Sequence, residues 1–149
     1  MKIISGGQNG ADRAGLEAAV TLGLDVGGTV PLGRRTDGEP LTYEEMAMFH
    51  LVENRYSGYP KRTRQNVIDS DGTVLFGDMK SPGCRLTIRL CREHAKAYIV
   101  NPTANTLKEW VRENGIRALN VAGNSEKRNP GIGQYVFQLL VEAFGRGEN

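Results

Sequence analysis

The chain is poor in the residues that most often carry chemistry by themselves: 149 residues hold only two cysteines and two histidines. Cys84 and Cys91 stand seven apart on what reads as one helix, so they cannot bridge each other, and the chain reads as reduced and cytoplasmic. His50 and His94 are far apart, and neither has a cysteine or carboxylate at metal-ligand spacing, so no zinc or other metal site is expected. A G-x-S-x-G elbow is missing, which leaves serine hydrolase chemistry without support. No apolar run is long enough to cross a membrane, and none has the form of a leader. Excess charge is missing too. Nineteen Lys and Arg stand against seventeen Asp and Glu, and a net +2 gives no reason to expect nucleic acid as a partner. Repeats, linkers and low-complexity stretches are likewise absent. Residues 1–149 read as one domain, long enough to bury roughly two thirds of the unfolded surface around a single core, with Gly145 to Asn149 as a frayed end.

Glycine is what the chain has in quantity, nineteen in all, and the first cluster organises the rest. Lys2-Ile3-Ile4-Ser5 is a short apolar strand that breaks into Gly6-Gly7-Gln8-Asn9-Gly10 and enters the helical pattern Ala11-Asp12-Arg13-Ala14. Bare backbone N–H groups in such a turn, backed by a helix N-terminus, predict an anion there. The letters match neither G-x-G-x-x-G nor the lysine-bearing P-loop, so an unliganded βα turn competes evenly with that reading. Asp12 reads as a helix cap or dipole partner before it reads as a catalytic base.

Small apolar residues recur on one face from Ala11 to Leu22, which predicts a helix pressed close to a sheet and ended by Gly23. A strand near Asp25 to Val30 follows. Pro31 to Pro40 has too many breakers for regular structure and reads as a long functional loop presenting Arg34 and Arg35. Lys61, Arg62 and Arg64 cluster ahead of Val74-Leu75-Phe76, whose unbroken apolar run marks a strand covered on both faces. Cys84 to His94 reads as a helix and Tyr98 to Val100 as a strand. Thr106-Leu107-Lys108-Glu109 has the form of a capping box. Leu119 to Ala122 is the last strand, and Asn129-Pro130 reads as the start of the last helix. The class is α/β: an open parallel sheet of about five strands with helices on both faces.

Ligands of such sheets bind beyond the carboxyl ends of the strands. Three glycine-rich turns leave those ends: Gly6 to Gly10, Gly77 to Gly83 and Gly123 to Gly131. If they share a rim, they line one crevice. Arg34, Arg35, Arg62, Arg64, Arg85, Lys127 and Arg128 lie in or beside those loops, which suggests a basic rim, although each arginine alone is as readily a solvated surface charge. Arg34→Ala or Arg62→Ala is expected to weaken binding at little cost in stability. Cys84, at a helix start, is a candidate for a thiolate, with a small residue filling a tight turn as the plainer reading.

Ile4 to Arg13, Gly33-Arg34-Arg35 with Asp37-Gly38, Arg62-Thr63 with Asn66-Val67, Asp69 to Thr73, and Leu119 to Gly123 with Pro130-Gly131-Ile132 run in order along nearly the whole chain. Together they resemble the molybdenum cofactor carrier family. That family is part of a Rossmann-like superfamily with the Lonely Guy phosphoribohydrolases and the DNA-processing protein A domains. The resemblance implies a Rossmann-like three-layer fold and homo-oligomers, tetramers or dimers. It further implies a phosphorylated small-molecule ligand, with molybdenum cofactor (molybdopterin) as the specific candidate. Carried over residue by residue, it makes Gly6, Gly7, Gly10 and the stretch Gly83, Cys84 to Thr87 the anion cradles, and Arg34, Arg35, Arg62 and Asn66 the polar contacts. Gln8, Asn9, Asp12, Arg13, Ser70, Asp71 and Gly123 complete the candidate set. Asn9, Cys84 and Asn124 depart from the family's usual Thr, small hydroxyl residue and Pro, which bears on the ligand more than on the fold. In the phosphoribohydrolase signature the glutamate falls on Leu90, so catalysis of that type is disfavoured. A nucleotide-processing enzyme, or a protein that sequesters a nucleotide signal without turnover, remains the alternative.

Overall fold

The computed structural model describes residues 1–145. Asn149 and the three residues before it, part of the end read as frayed, lie outside the described residues. The chain alternates β1 (Lys2–Ile4), α1 (Ala11–Leu22), β2 (Asp25–Val30), α2 (Tyr43–Met48), β3 (Leu51–Glu53), α3 (Tyr59–Asp69), β4 (Gly72–Phe76), α4 (Pro82–Glu93), β5 (Ala97–Val100), α5 (Ala104–Glu113), β6 (Ala118–Gly123) and α6 (Ile132–Phe144). The strands form one all-parallel sheet in the order β3-β2-β1-β6-β4-β5. From β1 the chain steps outward in one direction and from β4 in the other. With right-handed crossovers, α1 and α4 therefore fall on opposite faces. One face carries α1 and α6 packed together with α5 against α6, and the other carries α3 packed on α4.

The core follows from the strands' composition. Val74, Leu75 and Phe76 are fully buried, as an apolar run covered on both faces requires, and Leu119 and Val121 lie beside them on β6. The close approach of α1 rests on Gly15, where an added Cβ would stand 2.7 Å from Cβ of Val121. Deleting that one methyl position is what lets the helix seat on the central strand.

The sheet has six strands where about five are expected. The extra strand, β3, is three residues long, and only Leu51 in it is buried. Three residues carry too little periodicity to separate from a loop. The Thr-x-x-Glu signature operates one place and fails in another. Thr42 and Glu45 form a capping box on α2, the hydroxyl accepting from Glu45 N–H and the carboxylate accepting from Thr42 N–H. At α5 the cap is instead Thr103, which accepts from Thr106 N–H at 3.1 Å, while Glu109 pairs with Arg112. The strand ends at Val100, Asn101 turns the chain at φ +46°, and Thr103 then stands first in line to cap a helix that starts at Ala104. Asn129-Pro130 also lies before its helix. The cap of α6 is Gly131 in the left-handed region, after a turn in which Ile132 N–H donates to Asn129 O.

Candidate functional site

The sheet's order reverses around β6, and a crevice of about 390 Å³ opens there beyond the carboxyl ends of the strands. α3 supplies one wall through Tyr59, Pro60, Arg62, Thr63 and Asn66. α4 supplies the facing wall through Pro82, Gly83, Leu86 and Thr87, with its cap Ser81. Residues 120–125 of β6 and its exit form the floor, and Gly6, Gln8 and Asp12 close the end. The three glycine turns therefore meet on one rim. Gly123 has φ +148°, and its added Cβ would be 2.3 Å from Phe76 O, so only glycine lets β6 leave the sheet beside β4.

The first turn is not an open cradle. Gly7 N–H donates to Ser5 Oγ at 3.2 Å, Gln8 N–H to Asp12 Oδ2 at 3.3 Å, Asn9 N–H to Gln8 Oε1 at 3.1 Å and Ala11 N–H to Asn124 O at 3.1 Å. Asp12 occupies the anion seat of α1 with its own carboxylate. Glu126 does the same at α6, accepting from Gly131 and Gly133 N–H, which holds its carboxyl below the usual range. Of the three helices that follow the glycine turns, α4 alone has no carboxylate accepting from its first-turn N–H groups among the described residues. Its cap is Ser81, whose Oγ accepts from Cys84 N–H, and no acid stands in its first turn. An added Cβ on Gly83 meets nothing within 4 Å.

Arg62 and Asp12 form a buried pair at the closed end. Arg62 is 8% exposed, and its Nη1 donates to Gly6 O at 2.9 Å and to Asp12 Oδ2 at 3.1 Å. Its Nε is the one buried side-chain nitrogen or oxygen without a hydrogen-bond partner among the described residues. Burial pushes the Asp12 carboxyl above its ordinary value, against the opposing pull of the Arg62 charge and the Gln8 N–H. Because Arg62 is buried and paired, its removal is not free of stability cost, which corrects the expectation for Arg62→Ala.

Gly6, Gln8, Asp12, Arg62, Asn66, Gly83, Thr87 and Gly123 all line this crevice. Asn66, however, is committed to the fold: its Oδ1 accepts from Thr29 N–H at 2.8 Å and its Nδ2 donates to Thr29 O at 2.9 Å. The other candidates lie elsewhere. Arg34 binds Leu41 O and stacks over Tyr43, with 4.0 Å to the ring centroid, holding its own loop. Arg35 donates to Ser57 O and lies over the Tyr59 ring. Arg64 faces Glu93 and His94, and neither Arg85 nor Lys127 lines the crevice, so the basic rim reduces to Arg62 and the exposed Arg128, whose Nη2 is 3.9 Å from Asp78 Oδ2. Asn9 ties the loop after β2 to the turn through Asp37, Gly10 bridges to Ser125, and Arg13 pairs with Glu17 and Glu45. Ser70 and Asp71 stand at the opposite edge of the sheet, where Asp71 Oδ2 accepts from Arg117 and Ala118 N–H. They precede β4, and a residue before a parallel strand cannot reach the carboxyl rim.

Cys84 is buried, and burial pushes its thiol up, which removes the thiolate reading. Leu90 packs with Val67 and Cys91, so an apolar cluster fills the place on α4 where the phosphoribohydrolase signature has a glutamate. Asn124 was given no role by sequence reasoning, yet it joins all three turns. It accepts from Asp78 N–H at 2.6 Å, donates to Asp78 O at 3.0 Å and to Ser81 Oγ at 3.3 Å, and its backbone carbonyl receives Ala11 N–H. Its position directly after a glycine at a strand end was the available signal. Among the described residues no group of three or more His, Cys, Asp or Glu side chains is placed to hold a metal, and no helix is long and apolar enough to cross a membrane.

A model of the circularly permutated YpsA SLOG family matches residues 3–144. No curated protein matches the chain. A crystal structure from Syntrophus aciditrophicus SB, of a protein named "Putative molybdenum carrier protein", superposes with a TM-score of 0.87. The two chains are 34% identical, over 97% of this chain and 94% of the other.

Proposed function

From the premise that the chain belongs to the circularly permutated YpsA SLOG family, we propose that it binds a phosphorylated small molecule in the crevice between α3 and α4. The phosphate sits at the N-terminus of α4, where Gly83 keeps its N–H (Pro82 has none, and the Cys84 and Arg85 N–H groups are given to Ser81), nothing crowds the Gly83 Cα, and the helix dipole favours negative charge. The observation that carries this reading is the unpartnered Nε of the buried Arg62. A desolvated guanidinium nitrogen with no acceptor is costly, and a ligand acceptor in the adjoining crevice relieves it after a small shift.

Molybdenum cofactor is the specific ligand we propose, on the name carried by the similar Syntrophus protein. The N-terminus of α4 would hold its terminal phosphate, and Tyr59 and Leu86, which line the crevice, are the residues that would face its flat ring system. The buried thiol of Cys84 is not a ligand for the metal, which the cofactor's own dithiolene holds. A nucleotide-processing reading has one observation in its favour: Asp12 is a carboxylate lining the crevice. We further propose that copies assemble as dimers or tetramers.

Native mass spectrometry of gently purified protein, with metal analysis, tests both ligand and assembly. A pterin with molybdenum supports the carrier reading. A nucleotide without metal moves the case to the nucleotide readings and calls for a turnover assay.

A further inference from the structure

The two ends of the crevice differ in what they can receive. At the α4 end, Gly83 offers its one backbone N–H with open space around it, and Arg128 offers positive charge. At the α1 end stands Asp12, the one acidic side chain on the crevice wall. Its Oδ2 is filled by Gln8 N–H and Arg62 Nη1. Its Oδ1 makes no hydrogen bond among the described residues, and the Asp12 side chain, 11% exposed, lines the crevice. A carboxylate oxygen accepts only. The turn around it has spent the N–H groups of Gly7, Gln8 and Asn9 internally, so the buried Arg62 Nε is the donor left beside it, enough for one hydroxyl oxygen but with its charge already shared with Asp12.

Resting on the crevice reading above, we propose that Asp12 is a specificity residue: it makes the α1 end a seat for a neutral hydrogen-bond donor. The ligand is a monophosphate that points its phosphate at α4 and offers a hydroxyl or N–H to Asp12 Oδ1. Molecules with a second anionic group at the far end are rejected, because that group meets a carboxylate whose one cationic partner, Arg62, already binds it. The groups that face the seat are Asp12 from α1 and Arg62 from α3, while Arg128, beside Asp78, faces the phosphate end.

Glycerol 3-phosphate and 3-phosphoglycerate test this, since they share a three-carbon phosphorylated frame and end in a hydroxyl or a carboxylate. Calorimetric titration of the full chain is expected to give at least about tenfold tighter binding of glycerol 3-phosphate, with Asp12→Asn bringing the two within about threefold of each other. Equal or tighter binding of 3-phosphoglycerate by the unmodified protein, or a ratio that Asp12→Asn leaves unchanged, overturns the assignment. The Asp12 carboxyl ¹³C resonance needs no variant: it is expected to move on saturation with glycerol 3-phosphate and not with sulfate, and no movement with glycerol 3-phosphate counts against the seat. Sulfate separates this failure from failure of the crevice itself. Sulfate binding that Gly83→Asp abolishes keeps the crevice reading whatever Asp12 does, whereas sulfate binding that is absent, or indifferent to Gly83→Asp, ends both.

Discussion

Gly6 and Arg62 share one space: a Cβ on Gly6 would lie 1.8 Å from Arg62 Nη1. The guanidinium fills the volume that the missing side chain leaves, and there it reaches both Gly6 O and Asp12. Gly6→Ala is therefore expected to expel the guanidinium and lower stability by about 1–3 kcal/mol, the usual range for overpacking. Urea unfolding measures the loss, and sulfate affinity should fall with it.

Gly83→Asp separates binding from stability. The new carboxylate lies in the first turn of α4, where the dipole favours it and an added Cβ meets nothing. The expected result is an unchanged or slightly raised midpoint of thermal unfolding together with loss of sulfate binding by calorimetry.

Arg62→Ala leaves the buried Asp12 without its cation. Breaking such a pair from one side costs about 3–5 kcal/mol, and protonation of Asp12 recovers part of that. The double variant Arg62→Met with Asp12→Asn removes both charges and is expected to be more stable than Arg62→Ala alone in urea unfolding.

Two carboxylates give opposite pH dependences. The Asp12 value is raised in the folded state, so the folded chain holds its proton more tightly, and the stability this contributes in acid is lost as pH rises through the folded value. Asp71 is held low by Ala118 and Arg117 N–H, so its contribution is present above the ordinary carboxylate range and lost as pH falls through its folded value. Thermal melts across pH 3 to about 8 are expected to show Asp12→Asn gaining on the unmodified protein toward high pH. Asp71→Ala should lose most at high pH and converge with the unmodified protein in acid.

Cys84→Ser is expected to bind sulfate with unchanged affinity, because the raised, buried thiol takes no part as a thiolate. Alkylation by iodoacetamide at neutral pH should be slow until the chain is unfolded.

The sequence made the first turn and the parallel sheet readable because each is announced locally, by glycines after Ile4 and by the unbroken apolar run Val74 to Phe76. The three glycine turns it announces line one crevice. The arginines were not readable in the same way. Nearness to a loop fixes where a backbone lies, but Tyr43, Tyr59 and Glu93 decide where the guanidinium ends, and none of these contacts is local. The donors of the first turn were misjudged for a related reason: Ser5, Gln8 and Asp12, which consume them, are ordinary polar letters until the turn folds back on itself. β3 and α2 escaped because neither buries a full face.

The placement of β6 between β1 and β4 has a consequence for how the molecule is made. Until residues 118–123 leave the ribosome, the growing chain holds two separate half-sheets, β1-β2-β3 and β4-β5, each with an unpaired inner edge. The late strand closes both edges at once, a long-range step of the kind that slows folding. It also delivers the crevice floor and Asn124, so the crevice arises in the same event that joins the halves. A chain that stops short of β6 has two half-sheets and no floor beneath α3 and α4.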